Sequence, residues 1–360
     1  MMLRGSNSNG RSLLLLHTAL FALFGFRAFG SAETVRSNIV GSKAIALDID
    51  GVLYRSGNLF SRTTEAMKLL ESSKIPFVFV TNGGGLTESE KSDELTHKIG
   101  ITVRPEQIIM AHTPFSKIAE QHKDQRVLII GHEGCLKVAR SYGFSKVASI
   151  RDIHEENPSI YPLRNPVNPP SCVEKGEPVE AILIFHDCLD WGLEMQIIFD
   201  IIVGRQHEQK VDNTILESFK QKVPIYQSNA DIVYASNHPF PRFTQGAFVE
   251  AFRSLFELYT GGEKLFVNTC GKPFKVQYDF ATDLLEKQAA MIGLPEISRF
   301  YGVGDNPKSD IRGANNAGDN WKSVLVRTGV FTGIDNDEED PADVVVEDIL
   351  DAINYILADP

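Results

Sequence analysis

The stretch Ala44-Ile45-Ala46-Leu47-Asp48-Ile49-Asp50-Gly51-Val52-Leu53 ends an apolar, strand-like run with two carboxylates one residue apart and a glycine. Successive side chains on a strand point to opposite faces, so Asp48 and Asp50 meet in one site only where the chain bends as the strand ends. Gly51 supplies that bend, because glycine reaches backbone conformations that other residues avoid. The spacing places Asp48 as a nucleophile and Asp50 as a group that trades a proton with a leaving group. Aspartyl-phosphate chemistry is one use of such a carboxylate. A calcium loop of the EF-hand kind would need an acidic or amide residue at 52 and Glu at 59, where the chain has Val52 and Leu59. An ordinary Asp-Gly turn is the competing reading, and the downstream sequence decides between the two.

Phe77-Val78-Phe79-Val80, introduced by Pro76, reads as a buried parallel strand and runs into Thr81-Asn82-Gly83-Gly84-Gly85. A hydroxyl, an amide and three freely turning residues at a strand end suit phosphate oxygens. Much later, Gly271-Lys272-Pro273 puts a lysine in a tight turn. A Walker-type loop is excluded there, since it would need Gly at 266 and Ser or Thr at 273 in place of Phe266 and Pro273. Phe300-Tyr301-Gly302-Val303-Gly304-Asp305-Asn306-Pro307-Lys308-Ser309-Asp310 is again an apolar strand, then a turn, then a helix carrying Ile311, Ala314 and Ala317. Asp305 stands where a metal ligand would stand, and Asp310 near the helix start either supports the ion or favours the helix dipole. Each signal falls at a strand's carboxyl end, the edge at which open parallel α/β sheets bind ligands.

In this order the four stretches resemble the motifs of the haloacid dehalogenase superfamily: Asp-x-Asp, a Ser or Thr after the second strand, a Lys, and an acidic Gly-Asp cluster. The long interval between Thr81 and Lys272 resembles the capped class IIA members. More closely, Thr81-Asn82-Gly83-Gly84-Gly85, Ile108-Ile109-Met110-Ala111-His112-Thr113-Pro114, Arg242-Phe243-Thr244-Gln245-Gly246-Ala247-Phe248 and the stretch from Gly304 to Asp310 are similar to the cat eye syndrome critical region protein 5 subfamily. The resemblance implies an α/β fold, a Rossmann-like doubly wound parallel sheet with an inserted α/β cap domain. It implies Asp48 as nucleophile and Asp50 as general acid and base. Thr81, Asn82 and Lys272 become phosphate-binding residues. Mg2+ falls to Asp48, the main-chain carbonyl of Asp50, Asp305 and, in support, Asp310. Carboxylates this close repel and raise one another's pKa unless a divalent ion neutralises them, and Mg2+ favours few carboxylates plus water and substrate phosphate.

One departure stands out. Many class IIA members have a second Asn and a Ser after Thr-Asn, whereas this chain has Gly83-Gly84-Gly85, removing side chains that would touch substrate or cap. The implied function is Mg2+-dependent hydrolysis of a small phosphorylated metabolite, with a glycerophospholipid-related ester as one candidate. A non-catalytic or weakly active binding protein on the same fold is the alternative, and intact Asp48 and Asp50 argue against it. A compact receiver domain is disfavoured by the insertion between Thr81 and Lys272.

Composition agrees. The 360 residues are 42% hydrophobic, enough for two domains. A net charge of −11 argues against a nucleic-acid partner, because such a surface repels phosphate backbones. Cys135, Cys172, Cys188 and Cys270 show no C-x-x-C spacing, so neither a zinc site nor a disulfide framework is expected. Residues 1–40 read as a targeting segment, with Arg4, Arg11 and Arg27, no acidic residue before Glu33, and an apolar stretch from Leu13 to Phe26 too short for a comfortable membrane span. Gly30-Ser31-Ala32 would pass as a secretory cleavage site, but the chain has no Asn-x-Ser/Thr acceptor and its cysteines look unpaired. Relatives in the resembled subfamily are often mitochondrial, so the resemblance implies a mitochondrial destination, with the secretory route as alternative and no stable membrane span in the mature chain.

Short apolar runs alternate with amphipathic stretches, the pattern of β-α units around a parallel sheet. Thr87-Glu88-Ser89-Glu90 reads as a capping box opening a helix. Val127-Leu128-Ile129-Ile130 and Ala181-Ile182-Leu183-Ile184-Phe185 read as strands of a second sheet, and the proline-rich stretch 151–178 as an excursion on its surface. The expected division is a core of 41–85 and 244–360 with a cap of 86–243. Specificity is then expected from cap residues facing Asp48, with Asp187, Asp190, Trp191, Asn237, His238 and Arg242 as candidates; the competing readings are structural, with Asp190 capping the helix that begins near Trp191 and Arg242 bracing the hinge. A homodimer through the cap is compatible with this arrangement.

Overall fold

A computed structural model describes residues 42–162, 176–205, 220–234, 238 and 240–360. In chain order the main elements begin with β1 (Ser42–Leu47), α1 (Thr63–Ser73), β2 (Phe77–Val80), α2 (Glu88–Ile99), β3 (Ile108–Ile109) and α3 (Phe115–His122). Then come β4 (Arg126–Ile130), α4 (Gly134–Tyr142), β5 (Lys146–Ser149), α5 (Ile150–Glu156), β6 (Val179–Ile184), α6 (Trp191–Ile202) and β7 (Ile225–Gln227). The chain closes with α7 (Gln245–Thr260), β8 (Val267–Thr269), α8 (Lys275–Met291), β9 (Ile297–Gly304), α9 (Arg312–Ala317), β10 (Trp321–Val326), β11 (Val344–Val346) and α10 (Ile349–Ala358).

Two parallel sheets carry the fold. The first has the order β11-β10-β9-β1-β2-β3 and the second β8-β7-β6-β4-β5. Strand alternation gives β1 two buried faces. Ile45 and Leu47 join Met67 and Leu70 of α1 and Ile353 and Ile356 of α10. Ala44 and Ala46 meet Tyr278, Ala281 and Leu285 of α8, where only small side chains leave room for that tyrosine. Helices on both faces make this the expected doubly wound core. The second sheet is covered in the same way, with Leu128 and Ile184 packing on α6 and α7, and Ile129 and Leu183 on α3 and α4.

Strand pairing divides the chain elsewhere than at 86 and 243. Ile108–Ile109, expected in the cap, pairs with Phe79–Val80 in the first sheet. Helix α7 and strand β8, expected in the core, belong to the second sheet, where Phe248, Phe252 and Phe256 enter its apolar cluster and Val267–Thr269 pairs with β7. A two-residue strand and the half-polar Val267-Asn268-Thr269 leave no apolar run to read. The strands expected at 127–130 and 181–185 do form and pair with each other. So does the capping box: Thr87 Oγ1 accepts from the Glu90 N–H at 3.2 Å, and Glu90 Oε2 accepts from the Thr87 N–H at 2.9 Å.

The first residues of the proline-rich stretch are helical rather than irregular. Ser149 caps α5, which ends just before Pro158. Residues 163–175, Cys172 among them, and the segment expected to be a targeting sequence lie outside the described residues. No helix among the described residues is long and apolar enough to cross a membrane.

Candidate active site

The carboxyl ends of β1, β2 and β9, together with the turn after β8, converge. Asp48 leaves β1 with 7% of its surface exposed; Lys272, Asp305 and Asp310 are 4%, 3% and 4% exposed. The Lys272 ammonium lies 2.6 Å from Asp310 Oδ1 and also ion-pairs with Asp48 Oδ1. Oxygens of Asp48, Asp305 and Asp310 all lie within 4.8 Å of one another. Asp310, expected in a supporting place, is thus a full member of the cluster. It gets there through a five-residue π-helical turn, Pro307–Ile311, and its Oδ2 accepts from the Asn306 N–H at 3.0 Å. π-turns recur at functional sites.

Glycines set how closely these parts approach. A Cβ on Gly304 would fall 2.1 Å from Asp310 Cβ. Asp305 is clasped between Gly51 and Gly329, where added Cβ atoms would lie 2.5 and 1.8 Å from its carboxyl group, and its Oδ2 accepts the Val330 N–H. Gly51, at φ +89, makes the bend read from the sequence. The Gly329-Val330 contact carries no sequence motif.

Burial raises the Asp48 pKa well above the usual carboxylate range, with Lys272 pulling it down and Asp310 and Asp305 pushing it up. Asp305 is pushed up to about 6, chiefly by burial and then by Asp310. Burial opposes the Lys272 charge, but Asp310 and Asp48 outweigh it and hold that pKa above its ordinary value. Three buried carboxylates against one ammonium leave uncompensated negative charge. An all-oxygen donor set of this kind fits a hard divalent cation such as Mg2+.

Other assigned residues stand differently. Asp50 is exposed as a residue, and its carboxylate is not among the three that meet. Crowding by surrounding protein raises its pKa, against the pull of Lys91, a buried lysine of α2 that donates to Tyr54 Oη at 3.0 Å. Thr81 is buried and its Oγ1 accepts from the Gly83 N–H at 3.0 Å, leaving its own proton to give. The Asn82 side chain, expected on phosphate, is instead committed to the lysine turn. Its Oδ1 accepts the Lys272 N–H at 2.7 Å, and its Nδ2 donates to the Lys272 carbonyl at 3.0 Å and to Asp231 Oδ2 at 3.1 Å. Asp231 was unread, because its role depends on two loops 149 residues apart in sequence.

The cap candidates make contacts within the protein. Asp187 Oδ1 accepts the first N–H of α7, from Gln245, at 2.8 Å. Asp190 caps α6 by accepting from the Leu193 N–H at 3.3 Å, while Glu194 reaches back to the Asp190 N–H at 3.0 Å. Trp191 packs edge-on against Phe248, ring centres 5.5 Å apart. His238 and Arg242 are exposed with contacts to Phe240 and Pro241, and Asn237 lies outside the described residues.

With this geometry in view, comparison with known proteins is decisive. Residues 45–145 match the family model described as haloacid dehalogenase-like hydrolase, and residues 269–352 a second model of HAD-like hydrolases. A mitochondrial hydrolase of Saccharomyces cerevisiae is 35% identical over 343 residues, 87% of this chain and 95% of that protein. The chain is a haloacid dehalogenase-like hydrolase. The hydrolase is also 32% identical to a cardiolipin synthase/mitochondrial hydrolase fusion protein of Schizosaccharomyces pombe, covering 92% of this chain and 56% of that one. Its fold is similar to a glycerol phosphate phosphatase of Mycobacterium tuberculosis solved in complex with magnesium, with a TM-score of 0.58 and 17% identity over 85% of this chain and 74% of that chain.

Two outcomes are expected. A carboxyl whose folded pKa exceeds its unfolded value stabilises the fold while protonated, and that stability is lost as pH rises, for Asp305 from its ordinary 3.8 through about 6. Millimolar Mg2+ should therefore raise the melting temperature by several degrees at about pH 7 and much less at about pH 4.5; equal shifts at both would contradict the site. Asp190→Ala should cost about 1 kcal/mol in thermal or urea unfolding with KM held within about twofold. A KM rise of about tenfold or more would return Asp190 to the substrate.

Proposed function

We propose that this phosphoric monoester hydrolase removes the phosphate from a small metabolite in a Mg2+-dependent reaction that passes through an aspartyl phosphate on Asp48. The observation that carries the reading is the ion-paired cluster of Lys272, Asp48 and Asp310, with Asp305 beside it, at the carboxyl edge of a parallel sheet. The residues placed to hold the ion are Asp48, Asp305 and Asp310 through their side chains and Asp50 through its main-chain carbonyl. A bound Mg2+ would offset the carboxylate charge and stabilise charge on the transferring phosphoryl oxygens.

The remaining work falls to the chain's own groups. An Asp48 oxygen attacks phosphorus as the bond from phosphorus to the leaving oxygen breaks, and Asp50 gives that oxygen a proton. Its raised pKa favours the protonated form needed for this. Asp50, now a carboxylate, takes a proton from the water that attacks the aspartyl phosphate, which frees phosphate and restores Asp48. The Lys272 ammonium and the Thr81 hydroxyl hold the transferring oxygens, so that positioning and fixed charge supply most of the rate. The second sheet lies over the cluster as a cap that excludes water. The similarity to hydrolases named as mitochondrial supports that location, and the fused cardiolipin synthase supports a glycerophospholipid-related ester.

Phosphate release from a panel of esters, with and without Mg2+, tests the reading. Asp48→Asn should lower metal-dependent kcat by about three orders of magnitude or more, and equal release by both proteins would reject the nucleophile.

A further inference from the structure

The last two glycines of the triplet after Asn82, Gly84 and Gly85, are wrapped by histidines. A Cβ on Gly84 would fall 2.9 Å from the Phe185 carbonyl oxygen and 3.2 Å from His112 Cδ2. On Gly85, at φ +84, it would fall 2.2 Å from His132 Nε2 and 3.1 Å from His186 Cδ2. Three imidazoles from elsewhere in the chain thus crowd Gly84 and Gly85.

The three differ in what they can do. His112 is fully buried and spent. Its Nδ1 lies 2.8 Å from Tyr142 Oη, whose own proton goes to Glu88 Oε1, and its Nε2 accepts the Gly85 N–H at 3.2 Å. That pattern makes His112 a neutral ring protonated at Nδ1, pinning the loop; burial holds its pKa at about 3. His132 and His186 are half-buried, with ring centres 5.0 Å apart and edge to face. His132 Nδ1 accepts the Gly134 N–H at 3.1 Å, which leaves Nε2 as an N–H donor. The His186 ring nitrogens have no hydrogen-bond partner among the described residues.

Their place is the carboxyl edge of the second sheet, just past the ends of the adjacent strands β4 and β6. That edge is the ligand-binding edge of a parallel sheet, and it faces the loop that begins at Thr81. The next strand along, β7, runs into Asn229, whose Nδ2 lies 3.4 Å from the Asn82 carbonyl oxygen. The two sheets thus present their ligand-binding edges to each other across residues 82–85.

We infer that His132 and His186 are specificity-determining residues that read the leaving group, and that they select a hydroxyl-bearing one, a polyol or sugar. The inference rests on the phosphatase reading above. His132 offers its Nε2 N–H as a donor and the His186 ring offers its nitrogens, the functions a hydroxyl satisfies. Burial holds His186 below its ordinary pKa despite the neighbouring Asp187 carboxylate, so the ring is neutral near pH 7, and the same carboxylate disfavours a second anionic group there.

The test compares kcat/KM for glycerol 3-phosphate and n-propyl phosphate, whose leaving alcohols match except for the hydroxyls. The Mg2+-loaded full chain should prefer glycerol 3-phosphate by about tenfold or more. In His132→Phe, His186→Phe and the double variant that ratio should fall toward unity, and His132→Gln and His186→Gln, which keep an N–H donor, should retain part of it. The inference is overturned if the parent protein shows no preference, or if the ratio survives both Phe substitutions. If the Phe variants do not fold, a ratio in the Gln variants equal to the parent's overturns it too. Failure of the phosphatase reading looks different: the parent protein then releases no phosphate from 4-nitrophenyl phosphate with Mg2+ present.

Discussion

A buried ammonium between two buried carboxylates, Lys272 with Asp48 and Asp310, is the contact on which the rest of the site depends. Removing three charges from water is costly, and such a group persists only where its geometry is fixed from several sides. Here the fixing is done by three chain segments far apart in sequence. Asn82 clamps the backbone of Lys272 in both directions, the π-turn folds Asp310 back under β9, and β1 delivers Asp48 between its paired neighbours β2 and β9. The lysine is the joint between the two sheets, since it follows the last strand of the second sheet and ends inside the first.

Close backbone approach is the second constraint. Gly51, Gly304 and Gly329 let Asp305 and Asp310 sit where any side chain at those positions would overlap them. Gly271, at φ +79, does the same between the lysine turn and the Ser228 carbonyl, 2.5 Å from where its Cβ would be. The site is a set of carboxylates held by missing side chains as much as by present ones.

That explains which parts were legible in the sequence. The Asp48, Thr81 and Asp305 signals are short, local and each tied to a strand end of one sheet, so their convergence followed from one rule about parallel sheets, whereas Lys272 reaches the same edge from the turn after β8 of the second sheet. The division between sheets was not legible at its edges, because Ile108–Ile109 is too short and Val267–Thr269 too polar to announce a strand. Acidic residues after a strand suit either a ligand or a helix N-terminus: the cap at Asp190 was legible as one of two readings and forms with Leu193, whereas the bond from Gln245 to Asp187 joins distant segments and left no local signal. The grouping of histidines around Gly84 and Gly85 was not legible for the opposite reason: His112, His132 and His186 are scattered in sequence and meet only in three dimensions.

The central claim is that Asp48 accepts a phosphoryl group inside this cluster. A crystal structure of the hydrolase grown with Mg2+ and beryllofluoride, which mimics an acyl phosphate, tests it most directly. The account predicts beryllofluoride joined to an Asp48 oxygen, with Lys272 and Thr81 on its fluorines and the metal touching Asp305. Beryllofluoride on Asp50, or a metal bound away from Asp305 and Asp310, would contradict it.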